Sequence, residues 1–419
     1  MSQIVVSSGT TSVTTVDASN TFLVEDSGTL EILDGGVVSG LITVVPAGAL
    51  QVDAGGTALS ATISGVGLEI VLSGGVDSGA QISGGELDVY GLASGARIFG
   101  GLQIVEAGGT AISAAVTADS GGGVGTQDVY GLAVSTTANG ALVAGATQSV
   151  FAGGTASSTT LLNQGYEYIG AGGTDIGTQI SSFSEQDVYG LASATAIDAY
   201  GSQYVGFDGV GIDVVINAGG GQTVDVGGTA VDETVRGAGL QNVFGSATGT
   251  IVESGGTQQL FLQGIASGTT IDAGGFQYVR FGGTASDSVI FAEGSQAIDA
   301  GGTAIGTMLS GGEQDVYGEA DGTTVFAGSE VVESGGTASG TTLSGGTLVI
   351  NGGTAVLDSG SVVSGAVAFA GGGGTLDILG SASRRDRSAA LPSATPSTSS
   401  RLLPRPAAAP PSPPATCWK

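Results

Sequence analysis

The sequence predicts an all-β chain: a right-handed parallel β-solenoid (β-helix) of about 18–20 coils over residues 1–380, with a disordered tail at 381–419. Three observations carry this reading. A short phrase built around Gln recurs, mostly every 16–19 residues, along the chain. Glycine supplies 80 of the 419 residues, about three times its usual share of roughly 7%, and much of it stands in pairs inside that phrase. The chain is 41% hydrophobic and only 11% charged, rich in the Val, Ile, Leu and Thr that favour strands between glycine turns.

The phrase aligns on Gln103, Gln127, Gln148, Glu167, Gln186, Gln203, Gln222, Gln241, Gln259, Gln277, Gln296, Gln314 and Glu330. Weaker units extend back through Glu86, Glu69 and Gln51 to Glu31, and forward to Leu348. Its consensus is Q-x-V-x-x-G-G-T-A-x-x-x-x-U-x-x-G-G-x, with U aliphatic. The U place holds Ile63, Val116, Leu161, Ile180, Val235, Ile290, Leu309 and Leu343.

A glycine pair in every unit would cost a helical repeat about 2 kcal/mol per unit relative to alanine. Strands fit instead. Gln and the aliphatic residue two places on share one face, and the residues between and after them share the other. The place three after Gln reads Glu106, Phe151, Tyr189, Asp225, Phe244, Arg280, Asp299, Tyr317 and Glu333, a solvent-facing mixture. One unit cannot bury its own apolar face, but stacked units can, with hydrogen bonds from coil to coil. Glycine pairs then serve the corners. Gln side chains stacked at strand spacing bond along the axis, so a polar residue on the core face is satisfied. Glu at that place, as in Glu167 and Glu330, predicts a position close to a corner. The variants DVYGLA (88–93, 128–133, 187–192) and DVYGEA (315–320) predict tighter corners, because the repeat shortens after Leu87, Gln186 and Gln314. The long step after Gln127 predicts an inserted loop near 134–144.

Charge divides the chain. Residues 1–380 carry 36 of the 37 acidic residues against Arg97, Arg236 and Arg280, a net −33; the last 39 carry six basic residues against Asp386, a net +5. Eight of nine prolines, Cys417 and Trp418 also lie in that tail. It reads as a flexible basic tether or as a stretch translated out of frame. The acidic body makes nucleic acid a poor partner. One cysteine excludes an intrachain disulfide framework. The first residues lack the charged and apolar regions of a secretory leader, and no apolar run is long enough for a membrane helix.

GGFQYVRFGGTASDSV at 274–289, with looser copies GATQSVFAGGTASSTT at 145–160 and GSEVVESGGTASGTT at 328–342, resembles the 19-residue repeat of AIDA-type autotransporter adhesins. The resemblance covers nearly all of residues 28–380. It implies a cell-surface or extracellular passenger domain with a β-solenoid fold, acting in adhesion or aggregation. It also implies glycosylation on repeat Ser or Thr by a glycosyltransferase. The full-length pattern of that family adds a leader and a C-terminal translocator barrel, which are not recognised in this sequence.

No catalytic, cofactor-binding or metal site is predicted. Histidine is absent, which removes His-based triads and His-ligated metals. The three arginines of the body occupy ordinary repeat places, unlike the acid-and-base clusters of β-helix polysaccharide lyases. The nearest calcium nonapeptide is DGVGIDVVI at 208–216, a single copy where a shared site needs several. The places after GGTA are too mixed for a flat ice-binding Thr array. Glu106, Asp225, Asp299 and Glu333 read as a solvated face, and exposed Phe and Tyr read as strand residues or as platforms for sugar rings. The function expected is therefore a non-catalytic passenger binding a host or neighbouring-cell surface, glycans or its own copies. A β-helix lyase and a purely structural surface-layer scaffold are the alternatives.

Overall fold

The computed structural model describes residues 2–17, 20–118, 123–141, 145–358, 361 and 364–379. The predicted tail at 381–419 lies outside them. Among the described residues all regular structure is β, arranged as a parallel solenoid of about 19 coils; at about 4.8 Å per coil its axis runs roughly 90 Å. No helix among the described residues is long and apolar enough to cross a membrane.

Each coil contributes three short strands. In one coil these are Gly221–Val224, Thr229–Val231 and Thr234–Val235. Each pairs in parallel with its equivalent one coil on, bringing Gln222 to Gln241, Ala230 to Ala247 and Val235 to Val252. Three stacks result, named here the Gln, Ala and aliphatic stacks. Every residue assigned to the U place lies buried in the aliphatic stack. Twice the chain runs through the aliphatic-to-Gln corner as one long strand, Met308–Val316 and Thr324–Glu333.

The Gln-to-Ala corner explains the glycine pair, and the two glycines do different work. At Gly108-Gly109 the first has φ +87 with open space around a would-be Cβ. Elsewhere that place holds Asp208 or Gln263, so a side chain is tolerated there when it accepts positive φ. The second faces inward, and a Cβ on Gly109 would stand 1.9 Å from the Val89 carbonyl oxygen of the coil below. At the tight corners Tyr90 and Gly91 both donate to the Val71 carbonyl, saving two residues. Phe244-Gly245 makes the same corner, although its sequence lacks the DVYG spelling.

That unrecognised corner corrects the register. The inward rung after Gln241 is Gln258, and Gln259 points outward. Likewise Leu30, Leu50 and Leu87 face the core where Glu31, Gln51 and Glu86 were expected. In each case the apolar neighbour takes the buried place and leaves the polar residue to water. Val134 belongs to strand Leu132–Val134, so the predicted insertion starts later, after Thr137–Asn139; its residues 142–144 are outside the described set.

The Gln ladder is buried, and hydrogen bonds link its rungs from Gln103 to Gln148 and again from Glu167 to Gln314. Gln203 Nε2 donates to Gln186 Oε1 at 2.7 Å, Gln222 to Gln203 at 2.8 Å, Gln241 to Gln222 at 3.0 Å, and Gln258 to Gln241 at 2.7 Å. Gln277, Gln296 and Gln314 continue it. The bottom rung shows the rule by exception: Gln103 Nε2 has no partner because Leu87 stands below it. A second polar column faces the ladder. Thr136 and Thr159 donate to Gln127 and Gln148 at 2.9 Å, and Thr269, Ser288 and Thr323 repeat the contact. Where the rung is Leu50 or Leu87, the facing residue is Ala61 or Ala96.

Replacing one rung therefore orphans its neighbours. Gln277→Leu leaves the Gln296 amide and the Ser288 hydroxyl without their acceptor, and an expected loss of about 1–3 kcal/mol follows. Adding Ser288→Ala recovers part of it. Chemical denaturation of the single and double variants measures both.

Candidate interaction surface

Three corners and three outer faces are what the solenoid offers to a partner. Two shallow depressions mark its surface, one of about 290 Å³ over Gly301, Gly302 and Tyr317 and one of about 680 Å³ over Gly108, Tyr130 and Gly153. Both lie along the Gln-to-Ala corner.

That corner concentrates aromatic residues, because the place three after Gln leaves the strand and swings outward. Tyr130 stacks on Phe151 with ring centroids 4.8 Å apart, and Phe244 stacks on Phe261 at 4.7 Å. One place further on, Phe207 and Phe281 are 66% and 70% exposed, each ring lying over the first glycine of the next coil. The Ala-to-aliphatic corner is more polar, with Ser60, Ser113, Ser135 and Ser158 in left-handed conformation and exposed. The remaining corner carries the exposed stack of Phe183 on Tyr200 at 4.8 Å.

The acids read as a solvated face lie half-buried on the outer side and also engage adjacent coils. Tyr90 donates to Glu106, Tyr204 to Asp225, and Asn351 to Glu333. Arg280 pairs with Asp299 at 2.8 Å and lies 4.6 Å over the Tyr278 ring. Arg236 donates to Asn217, and Arg97 is exposed on a different coil, so the arginines do not converge. Asp208 and Asp213 of the calcium-like nonapeptide sit at opposite ends of strand Val210–Ile212, on different corners. Among the described residues no group of three acidic, His or Cys side chains is close enough to hold a metal.

Buried acids are the feature the sequence reading misplaced. Glu167 and Glu330 are not near a corner; both are fully buried rungs of the ladder. Gln186 donates to Glu167 at 2.8 Å and Thr341 to Glu330 at 2.9 Å. In two coils a second acid takes the Ala place, pairing Glu69 with Asp77 and Glu167 with Asp175 inside the core. Glu233 replaces the facing Thr and accepts from Gln222 and Gln241; Gly211 supplies the room. Burial pushes all of these carboxyls up, Glu233 to about 8, Glu330 and Asp77 to about 7, and Asp175 to about 6. The neutral acid is then the form that fits, since an ion in an apolar core without a cationic partner is costly. Asp eight residues after Glu, in an otherwise alanine place, was the available signal.

Comparison with solved structures identifies the architecture further. The TibC-catalysed hyper-glycosylated TibA55-350 fragment is 32% identical, with TM-score 0.53 over 64% of this chain and 93% of the fragment. The chain belongs to the same adhesin-passenger family as TibA. The Streptococcus pneumoniae surface protein and adhesin PfbA also matches, at 10% identity over 84% of this chain and 91% of that one, with a TM-score of 0.15. No family model and no curated protein matches. The outward corners and faces are the solvent-accessible parts of each coil, while the interior is given over to the ladder and the apolar core.

Proposed function

We propose that this chain is a non-catalytic, AIDA-type passenger, displayed at the bacterial cell surface or released from it, that mediates adhesion to a host or neighbouring cell or self-association. The observation that carries the reading is the likeness to the TibA fragment over 93% of its length. The long, shallow surface supports it: partners meet corners and faces, not a cleft. The hyper-glycosylation of TibA by TibC supports a second element, modification of outward Ser and Thr by a dedicated glycosyltransferase. The exposed Ser60, Ser113, Ser135 and Ser158 of one corner are its sites on this reading.

Beads or non-adherent cells carrying the chain test the reading. Carriers are expected to adhere to epithelial cells or to clump, in proportion to the amount displayed. Absence of both, with intact solenoid circular dichroism, contradicts it. Release of soluble sugar from polysaccharide by the purified chain would favour the lyase instead.

A further inference from the structure

We propose that the outer face of the Gln stack at coils 166–169, 185–188 and 202–205 is a binding platform for a neutral glycan. This deepens the adhesion reading, and rests on it for biological meaning, by naming the ligand class and the residues.

The platform follows from strand alternation. Inward Glu167, Gln186 and Gln203 leave Tyr166 and Tyr168, Glu185 and Asp187, and Ser202 and Tyr204 on the outer face. Tyr189, at the adjoining tight corner, joins them: its ring centroid is 5.6 Å from that of Tyr168 and 6.2 Å from that of Tyr204. The rings are held in place. Tyr166 donates its hydroxyl to Asp187 Oδ2 at 2.7 Å, and Tyr204 donates to Asp225 Oδ2. Each carboxylate keeps a second oxygen that accepts from no side chain among the described residues.

Beside the rings the face is notched. The outward column that carries Tyr166 and Glu185 continues as Ser202 and Gly221 before Leu240 closes it. A Cβ on Gly221 would meet nothing within 4 Å. The notch is two coils long, about 10 Å, and Tyr204 and Thr223 stand beside it.

This chemistry fits a sugar. Aromatic faces pack against the C–H face of a pyranose ring, and carboxylate oxygens accept its hydroxyls. Tyr168, Tyr189 and Tyr204 come from three successive coils, at a spacing close to the advance of one sugar in an extended chain. Charge selects among glycans and against other partners. The solenoid carries 36 acids against three arginines through residue 380, so sialylated or sulfated chains and a second acidic copy are repelled. Burial pushes Glu185 and Asp187 up from the ordinary carboxylate range, which weakens the face's attraction for a cationic peptide relative to fully ionised acids.

Saturation-transfer NMR and tyrosine fluorescence on the purified full chain test the platform. The probes are neutral hexamers of β-1,4-linked glucose and of β-1,4-linked N-acetylglucosamine, a heparin hexasaccharide and oligolysine. Binding of a neutral hexamer is expected, unaffected by salt. Tyr204→Ala and Gly221→Val are each expected to weaken it about tenfold, the second by filling the notch with a residue that strands favour. Phe183→Ala, on another corner, leaves it unchanged. The proposal is overturned if neither neutral hexamer binds, if the notch and ring variants bind like the parent, or if only heparin or oligolysine binds. Cell adhesion without binding of either neutral hexamer would overturn the platform and leave the adhesin reading standing. Hexamer binding without cell adhesion would do the reverse.

Discussion

Gly109→Val is expected to break the solenoid at one coil. The new Cβ would stand 1.9 Å from the Val89 carbonyl oxygen, an oxygen already bound into the coil-to-coil ladder. Neither the backbone below nor the turn above has slack, so the two coils must separate. The cost is about 3 kcal/mol or more, above ordinary overpacking because backbone and not a side-chain tip must move. Stability in a solenoid is close to a sum of neighbour terms, so the damage stays local. Limited proteolysis is expected to cut near 105–110 and release two resistant fragments. Gly108→Ala is the contrast: it meets no atom and bears only the left-handed strain of an L-residue, about 1–2 kcal/mol. If the two variants were equally stable, the division of labour within the pair would be wrong.

Stability is expected to fall as pH rises from about 4.5 to about 8, the reverse of ordinary acid denaturation. Glu330 has its pKa raised from 4.5 to about 7, and Glu233 from 4.5 to about 8, both by burial. A carboxyl whose folded pKa is raised binds its proton more tightly in the folded chain. Its contribution is complete below the unfolded value and is lost as pH climbs through the folded one. The differences correspond to roughly 3 kcal/mol for Glu330 and roughly 5 kcal/mol for Glu233. The geometry explains why the acid form is accommodated. Glu330 Oε1 is buried without a partner, beside the Gln314 rung below it. Once protonated, it presents an O–H where Gln would present an N–H, and the ladder closes. Glu330→Gln is therefore expected to leave stability at pH 5 nearly unchanged and to raise it by about 1–3 kcal/mol at pH 8. Thermal melts of both proteins between pH 4 and 9 check this; a pH profile unchanged by the substitution would contradict it.

Much of the fold was legible because one period governs it. Gln, the aliphatic two places on, the Ala place and the U place each recur in most units, and stacking is what lets all four be buried. Misplaced residues fall where the period alone does not decide. Gln258 and Gln259 are chemically identical neighbours, and only the length of the Phe244-Gly245 corner says which turns inward. Gln51 and Glu86 each sit beside a leucine that outcompetes them for the core. Glu167 and Glu330 were expected near a corner on the premise of an ionised carboxylate; protonation removes that premise. The Tyr166, Tyr189 and Tyr204 platform was least legible, since its members are 15 to 38 residues apart and meet only through coils of 19 and 17 residues between Glu167, Gln186 and Gln203.

The central claim is that successive copies of the phrase stack as parallel coils at constant spacing. Spin labels on exposed corner residues measure this directly, with Cys417 replaced. Ser158, Asp232 and Asp287 occupy the same left-handed corner place, and the intervening corners at Gly177, Ala194, Asp213, Gly249 and Gly268 count four coils from Ser158 to Asp232 and seven to Asp287. Electron–electron distances near 19 Å and 34 Å are predicted, about 4.8 Å for each coil. Distances that failed to grow in proportion to coil number, or broad distributions without a defined maximum, would contradict the account.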